Sequence, residues 1–592
     1  MAFDGFAMKC LLSELTDKLQ KGRIERIYQP QSDTLLINLH TGGGRQKLLV
    51  SANPSNPRIH LSGKAESSQQ HPPMFCMLLR KHLGSGTLVS IKQHGMDRVL
   101  EFTIKTTDEL GVQGTKILVC EVMGRHSNII LLNGNREIID AIKRVTPEMS
   151  SYRHVFPGVV YKYPPSQSKL DLTGVETGVL EKEFSIHIGV KAARAVANTL
   201  EGFGKPLARE FCVRSGIDPD KPLEECSVAD LCHTASLFRD IIHKGDFSPV
   251  IYYRDSDAAY FCPIMLTHLN LPFKLQQNIN TMLDNFYHQK LMLETVNQEK
   301  DRLNKVVKAL IEKNTKKLNN RLQEFHDAED KSHYKLYGEL ITANLYRLKE
   351  RCSNAILEDY NKPDMPLIRI ELDPDLTPLQ NAQKFFSEYN HGKRAKENLK
   401  KLIRRTKKEI SYLESLVYSI EKCTLWPELH EIRLELKSGG YIKPAKTKDR
   451  RKIKEKPHSP SKPLAFISRD NFTIFVGRNN RQNDYLTLKF ARKDDVWLHT
   501  KDIPGSHVLI RSEGKDLPDT TLYQAALLAA YYSKARQSSS VPVDYTAVKN
   551  VSKPSGAKPG YVIYKNQKTI FVTPDAEEIG LIGKINNDNT AD

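Results

Sequence analysis

The sequence predicts a multidomain α+β protein, and three observations predict it. Residues 1–178 hold short apolar strand patterns cut by glycine and proline. Residues between about 276 and 424 hold an apolar spacing of three and four positions, sustained far beyond an ordinary helix. Strand-and-turn patterning returns after residue 464. A length of 592 residues suits about three to five folding units.

Residues 1–178 form the first unit, a mixed α/β domain. Leu11, Leu12, Leu15 and Leu19 share one helical face, which predicts a helix over 8–20. Leu35–Leu39, Lys47–Val50 and Arg58–Leu61 read as strands, separated by Gly42–Gly44 and by Asn53–Pro57. Pro73–Leu83 reads as a short helix. Thr87–Gln93 and Arg98–Thr106 read as a hairpin whose turn is His94-Gly95-Met96-Asp97. Ile117–Val122 and Asn128–Leu132 make another strand pair, and Tyr161–Pro165 marks the exit.

Residues 179–272 read as helical. Gly202-Phe203-Gly204 lies between two helical stretches, the shape of a helix-hairpin-helix module. The amides of such a turn and the following helix N-terminus can hold a phosphate. A plain helical turn has the same spacing.

Residues 273–440 read as a long antiparallel coiled coil with a small tip domain at about 331–380. Val296, Leu303, Val307 and Leu310 repeat on the first helix, with a stutter near Asn314 and Leu318. Leu399, Leu402, Thr406, Ile410, Leu413, Val417 and Ile420 repeat on the second. That second helix carries Lys393, Arg394, Lys396, Lys400, Lys401, Arg404, Arg405, Lys407 and Lys408, interrupted by one acid, Glu397. A solvated face usually alternates its signs. This one does not, so its self-repulsion calls for an anion, and nucleic-acid phosphate fits. A simple solvated outer face is the alternative.

Residues 441–463 read as a basic, proline-bearing linker, and 464–575 as a compact α/β domain followed by a polar, frayed tail over 576–592. Asp494–Val508 holds one of only two tryptophans, with two acids, two histidines and the turn Pro504-Gly505. It reads as a rigid recognition surface, or equally as a structural Trp whose polar neighbours cap a turn. Trp497, His499 and His507 are its candidate contacts. Lys553–Gly560 is a basic, glycine-bearing loop suited to phosphate, with Lys553 and Lys558 as its cations.

The net charge is +18, with 88 Lys and Arg against 70 Asp and Glu, which favours a polyanionic partner. The nine cysteines are scattered and contain no Cys-x-x-Cys, which argues against zinc knuckles and a disulfide framework. No export signal and no membrane-length apolar run are visible, so a cytoplasmic chain with no membrane contact is expected. Nucleotide-binding glycine loops, metalloprotease motifs and nucleophile elbows are absent from the sequence. No catalytic residue, metal site or cofactor is expected, and no enzymatic activity.

Taken in order, Met1–Gly5 opening the α/β domain, the helical hairpin, the split coiled coil and the Trp497 domain resemble the NFACT family across nearly the whole chain. The match is most specific at Phe3-Asp4-Gly5, Asp97-Arg98, Lys553–Gly560 and Asp495–His507. The resemblance makes residues 1–178 an NFACT-N domain and 464–575 an NFACT-R domain. With no further C-terminal domain after it, the chain is expected to be of the bacterial type.

The resemblance implies a ribosome quality-control factor. Such a factor binds obstructed large ribosomal subunits that carry a nascent chain on peptidyl-tRNA. It recruits tRNA, mainly alanyl-tRNA, and directs an mRNA-independent alanine tail that marks the chain for degradation. The ribosome makes the peptide bond. Asp97 and Arg98 match the family's tRNA-engaging pair; a local turn salt bridge is the alternative for them. Trp497, His499, His507, Lys553 and Lys558 are expected on the tRNA side. Lys393, Arg394, Lys400, Lys401, Arg404 and Arg405 are expected on rRNA. A small RNA-binding accessory protein is a further partner that this picture accommodates.

The family's N-terminal domain also resembles the scaffold of formamidopyrimidine-type DNA glycosylases. Ala2 in place of a nucleophilic proline, and the lack of zinc ligands, argue against that chemistry. The alternative function is a fibronectin-binding surface adhesin, against which the missing export signal and the cysteine pattern speak.

Overall fold

A computed structural model describes residues 3–64, 72–107, 111–165, 168–187, 189–349, 351–443 and 462–585. The chain divides into two units, residues 1–293 and 294–592.

In the first unit, helix α1 (Gly5–Leu19) starts three residues ahead of the predicted position because Asp4 caps it. The Asp4 carboxylate accepts the Ala7 amide at 2.9 Å. Leu11, Leu15 and Leu19 are buried against a nine-stranded sheet. Its strands are β1 (Arg23–Gln31), β2 (Thr34–Thr41), β3 (Gly44–Ser51), β4 (Arg58–Leu61), β5 (Thr87–Gln93), β6 (Val99–Thr107), β7 (Gln113–Glu121), β8 (Asn128–Leu132) and β9 (Ile138–Ala141), in the order β4-β3-β2-β1-β5-β6-β7-β8-β9. Helix α2 (Met74–Leu83) packs on the same core through Phe75, Leu79 and Leu83. Strand β1 was not anticipated. Its charged residues and a bulge after Ile24 break the alternation that betrays a strand. Tyr161 and Tyr163 do not leave the sheet: their hydroxyls donate to Glu121 at 2.8 Å and Glu101 at 2.7 Å.

Helices α3 (Thr177–Ser185), α4 (Ala192–Thr199), α5 (Lys205–Arg214) and α6 (Val228–Lys244) follow, with Gly202–Gly204 turning α4 into α5. The helical expectation for 179–272 fails at its end. Strands β10 (Val250–Arg254), β11 (Asp257–Cys262) and β12 (Phe273–Leu275) form a small antiparallel sheet. Val250-Ile251-Tyr252 is a β-branched and aromatic run, and Asp255 and Ser256 turn it with φ of 49° and 74°. Val250, Tyr252 and Cys262 close the aromatic core of Phe203, Phe211 and Phe238.

Helix α7 (Ile279–Asp330) begins in the first unit, where Ile279, Met282, Leu283 and Phe286 join the sheet's core. In the second unit it runs antiparallel to α9 (Pro378–Lys422). Lys300 Nζ donates to the Glu421 carbonyl, Lys396 pairs with Glu329 at 2.6 Å, and Lys331 pairs with Glu388 at 2.7 Å. Partners thus climb one helix as they descend the other. At 1.5 Å per residue, 52 and 45 residues make helices roughly 78 and 68 Å long. Val296, Leu303 and Val307 meet Leu413, Leu416 and Ile420 in the apolar seam. Beyond Asn314, near the expected stutter, the seam turns polar: Arg321 crosses to the Leu402 carbonyl at 3.1 Å and to Thr406.

The tip between the long helices holds α8 (His333–Ala343) and a hairpin of β13 (Asn354–Glu358) and β14 (Leu367–Glu371), built on Leu340, Ile341, Leu357 and Ile370. Residues 426–438, read as the end of the coiled coil, form a separate helix α10 (Trp426–Ser438) instead. Pro427 sets its first turn, and Leu429, Ile432 and Leu436 bury against the base of the seam. Tyr441 and Ile442, assigned to the linker, pack on that base too. The basic run from Lys446 to Lys456 lies outside the described residues.

The C-terminal domain is a seven-stranded sheet. Its strands are β15 (Leu464–Ile467), β16 (Thr473–Val476), β17 (Val496–Thr500), β18 (Val508–Ile510), β19 (Val541–Ala547), β22 (Lys568–Val572) and β23 (Gly583–Lys584), with a separate pair β20 (Val551–Ser552) and β21 (Ile563–Tyr564). The order is β22-β19-β17-β18-β16-β15-β23. Helix α12 (Asp519–Tyr531) covers it with the buried run Ala525–Ala530. Helix α11 (Asn480–Tyr485) was not anticipated, because its sequence is polar throughout. The expected frayed tail is structured through Ile585: α13 (Ala576–Gly580) and β23 bury Ile579 and Ile582 in the domain's core. Residues 586–592 lie outside the described residues. No described helix is long and apolar enough to cross a membrane. Among the described residues no cluster of His, Cys, Asp or Glu is placed to hold a metal.

Candidate nucleic-acid interface

The β5–β6 turn places Asp97 and Arg98 in the wall of a cavity of about 740 Å³ in the first unit. The turn is held from three sides. The Asp97 amide donates to the His94 carbonyl at 3.0 Å, the Met96 amide donates to Glu201 at 3.0 Å, and Gln93 Nε2 donates to the Asp97 carbonyl at 2.8 Å. The Asp97 carboxylate accepts its neighbour's amide, that of Arg98, at 2.7 Å. Both side chains are half-buried and line the cavity. The Asp97–Arg98 salt bridge is absent, and among the described residues the Arg98 guanidinium has no hydrogen-bonded partner.

Arg125, Lys143, Arg153 and Lys169 line the same cavity, and the sequence reading missed all four. Two are committed elsewhere. Arg153 is held by the buried Glu121, and Lys143 Nζ donates to the carbonyls of Ala52 at 2.5 Å and Ser127 at 3.0 Å. Burial lowers the pKa of Lys169, and the charge of Arg98 adds to that effect. An anion entering here would meet Arg98, Arg125 and Lys169 as its available cations.

The hairpin at Gly202–Gly204 already holds an anion of the chain's own. The Gly204 amide donates to Asp4 Oδ2 at 3.1 Å, and the Phe6 amide donates to the Gly202 carbonyl at 3.1 Å. A phosphate at that amide would have to displace Asp4. Burial pushes the Asp4 carboxyl up to about 6, against the pull of the Ala7 and Gly204 amides and of Arg98. Gly5 is required here: a Cβ would overlap the Met96 carbonyl and crowd Gly202. Phe3-Asp4-Gly5 therefore locks α1, the β5–β6 turn and the helical hairpin together.

In the second unit a cleft of about 790 Å³ opens over Trp497. The expected aromatic surface is corrected, since Trp497 is 0% exposed and His507 is 1% exposed. Trp497 lies on a central strand, and its ring packs between His499, His507 and Tyr564. Thr487 Oγ1 bonds His507 Nδ1 at 2.7 Å. Burial lowers both imidazoles, His499 to about 4 and His507 well below its ordinary value. Both rings are neutral at physiological pH. Asp495, of the same motif, is structural: it accepts amides from Arg492 and Ser512 and pairs with Arg511 at 3.3 Å.

Loop Lys553–Gly560 borders the cleft, but neither lysine is free. Lys553 is paired with Asp484, and the Gly560 amide donates to the same carboxylate at 3.0 Å. Lys558 is paired with Glu409 and donates to the Tyr441 hydroxyl at 2.5 Å. Lys553 lies outside the cleft lining, whereas Lys558 faces it across Tyr412.

On α9, Lys393, Arg394, Lys400, Lys401 and Arg404 are exposed. Lys396 is the exception, bound to Glu329. Arg405, expected on rRNA with these residues, lines the Trp497 cleft together with Lys408.

Residues 4–456 match the NFACT N-terminal and middle domains, and residues 462–566 match the NFACT protein RNA binding domain. The chain belongs to the NFACT family. It is 39% identical over 580 residues to the Rqc2 homolog RqcH of Bacillus subtilis (strain 168), covering 98% of this chain and 99% of that protein. It is 24% identical over 643 residues to the human ribosome quality control complex subunit NEMF, covering 90% of this chain and 56% of that protein. A solved structure of the C-terminal part of a fibronectin/fibrinogen-binding protein from Streptococcus suis shares 37% identity, covers 49% of this chain and 99% of that chain, and superposes with a TM-score of 0.37. In NFACT terms the Asp97–Arg98 cavity lies in the N-terminal region and the Trp497 cleft takes its floor from the RNA-binding domain.

Proposed function

We propose that this chain is a ribosome quality-control factor. It binds obstructed large ribosomal subunits that carry peptidyl-tRNA, and recruits tRNA, mainly alanyl-tRNA. It thereby directs an alanine tail onto the stalled nascent chain in the cytoplasm, without mRNA, and the tail marks that chain for degradation. Peptide-bond formation is left to the ribosome, so the chain itself is not an enzyme and uses no cofactor. A glycosylase-like N-terminal scaffold serves as a tRNA grip, and a small RNA-binding accessory protein assists.

The observation that carries this reading is the α9 face: Lys393, Arg394, Lys400, Lys401 and Arg404 project to solvent and form no salt bridge among the described residues, on a helix roughly 68 Å long. Folded RNA presents phosphates over such a span. The RNA-binding family match and the near full-length likeness to RqcH point the same way. The surface-adhesin alternative has no comparable observation behind it.

The test is reconstitution. Purified large subunits bearing peptidyl-tRNA are incubated with alanyl-tRNA and this protein, with neither mRNA nor small subunit. Mass spectrometry should show nascent chains extended by alanine. Unextended chains, with the protein bound to the subunits, would defeat the tailing assignment.

A further inference from the structure

The Trp497 cleft has a floor and a rim of different character. The floor is neutral and aromatic. His499 lies nearly parallel to Trp497 at 5.8 Å, and Tyr564 leans on the same indole at 4.9 Å. His499 and Tyr564 keep part of their surface open to the cleft. Trp497 supports them from below, and its indole N–H has no hydrogen-bond partner among the described residues. The rim is cationic: Arg405 and Lys408 are exposed, and Lys558 faces inward between Tyr412 and Tyr441. Lys408 also lies over the Tyr561 ring at 5.2 Å.

We propose that this cleft takes a single unpaired ribonucleotide out of an RNA strand, its base against the His499–Tyr564 floor and its phosphate at the Arg405–Lys408–Lys558 rim. The inference rests on the RNA-binding reading above and names a subsite within it. Three features favour this occupant. A volume of about 790 Å³ lies within the range of sites that enclose a small ligand, about 300–1,000 Å³. Aromatic faces take any base by stacking, so the floor accepts a base without reading its identity. A free phosphate or an acidic peptide would use the rim and leave the floor empty.

Glu409 then acts as an internal stand-in for phosphate. Its carboxylate holds Lys558 while also accepting from the Tyr441 hydroxyl. An arriving phosphate takes over Lys558, and Glu409 opposes it by like charge. Glu409→Gln should therefore tighten binding several-fold.

The chain has two tryptophans, so labelling the full-length protein with 5-fluorotryptophan gives two fluorine resonances. Trp426→Phe identifies them, or Trp426→Tyr should the first variant fail to fold. The probes are a single-stranded tetraribonucleotide, the same strand with one abasic residue, and a short duplex of matched charge. The intact strand should shift the Trp497 resonance. The abasic strand should bind roughly tenfold more weakly, the scale of losing one stacked base, and the duplex should leave the resonance in place. Equal affinity for intact and abasic strands with a static Trp497 resonance, while whole tRNA still binds by anisotropy, overturns the subsite alone. Loss of binding to tRNA and to large subunits alike overturns the reading beneath it.

Discussion

Single carboxylates set much of the behaviour of this chain. Asp4 caps α1 and the helical hairpin at once, and Gly5 beside it has no room for a side chain. Gly5→Ala should destabilise the first unit by more than about 2 kcal/mol, since overlap with backbone cannot relax as a side chain would. Urea unfolding of the full chain followed by tyrosine fluorescence reads this. At the cavity wall, Asp97→Ala with Arg98→Ala removes no core contact, so fold and subunit binding should persist while tailing is lost. A tail of normal length on a reporter lacking a stop codon would refute that role.

Glu435 is a pH-sensitive residue of the second unit. Its carboxyl, 1% exposed, accepts from the Tyr412 hydroxyl at 2.6 Å, yet burial pushes its pKa up to about 7. The folded state then keeps a proton that the unfolded chain releases near pH 4.5. The contribution to stability is present below about pH 4.5 and is lost as pH rises through 7. Glu435→Gln cannot ionise, so it should gain up to about 3 kcal/mol over the natural protein at pH 8 and little at pH 5. An equal difference at both pH values would contradict the assignment.

At the scale of elements, the periodic apolar seam was readable because it repeats. Of the residues its spacing selects, Val296, Leu303, Val307, Leu399, Thr406, Leu413 and Ile420 are buried, while Leu310, Leu402, Ile410 and Val417 are half-buried. Leu413→Ala should cost about 2–5 kcal/mol, seen as an earlier urea transition of Trp426, which packs on the same core. Lys400→Ala with Lys401→Ala should change stability by less than about 0.5 kcal/mol while weakening subunit binding. The β5–β6 hairpin was equally legible, since its turn residues sit between two alternating runs.

Short or polar elements were not legible. α11 has no apolar stripe, β1 is bulged and charged, and β10–β12 lie too close behind helices to break the helical reading. The Trp497 motif marked a site, but no spacing rule says which face of β17 is buried. The partners of its loop were out of reach for a similar reason. Lys553 finds Asp484 across 69 residues and Lys558 finds Glu409 across 149, distances that no local pattern spans.

On the scale of the whole molecule, the net charge is +18, and α9 contributes to it with 11 Lys and Arg against 5 Glu. With about eight phosphate contacts, affinity for large subunits should fall by ~10³–10⁵ between 50 and 200 mM salt. A flat affinity across that range would remove the electrostatic basis of the grip. The most direct measurement is to purify the protein from cell lysate and sequence the RNA that comes with it. Large-subunit rRNA together with one enriched tRNA species is the expected result. Protein recovered free of both would contradict the account.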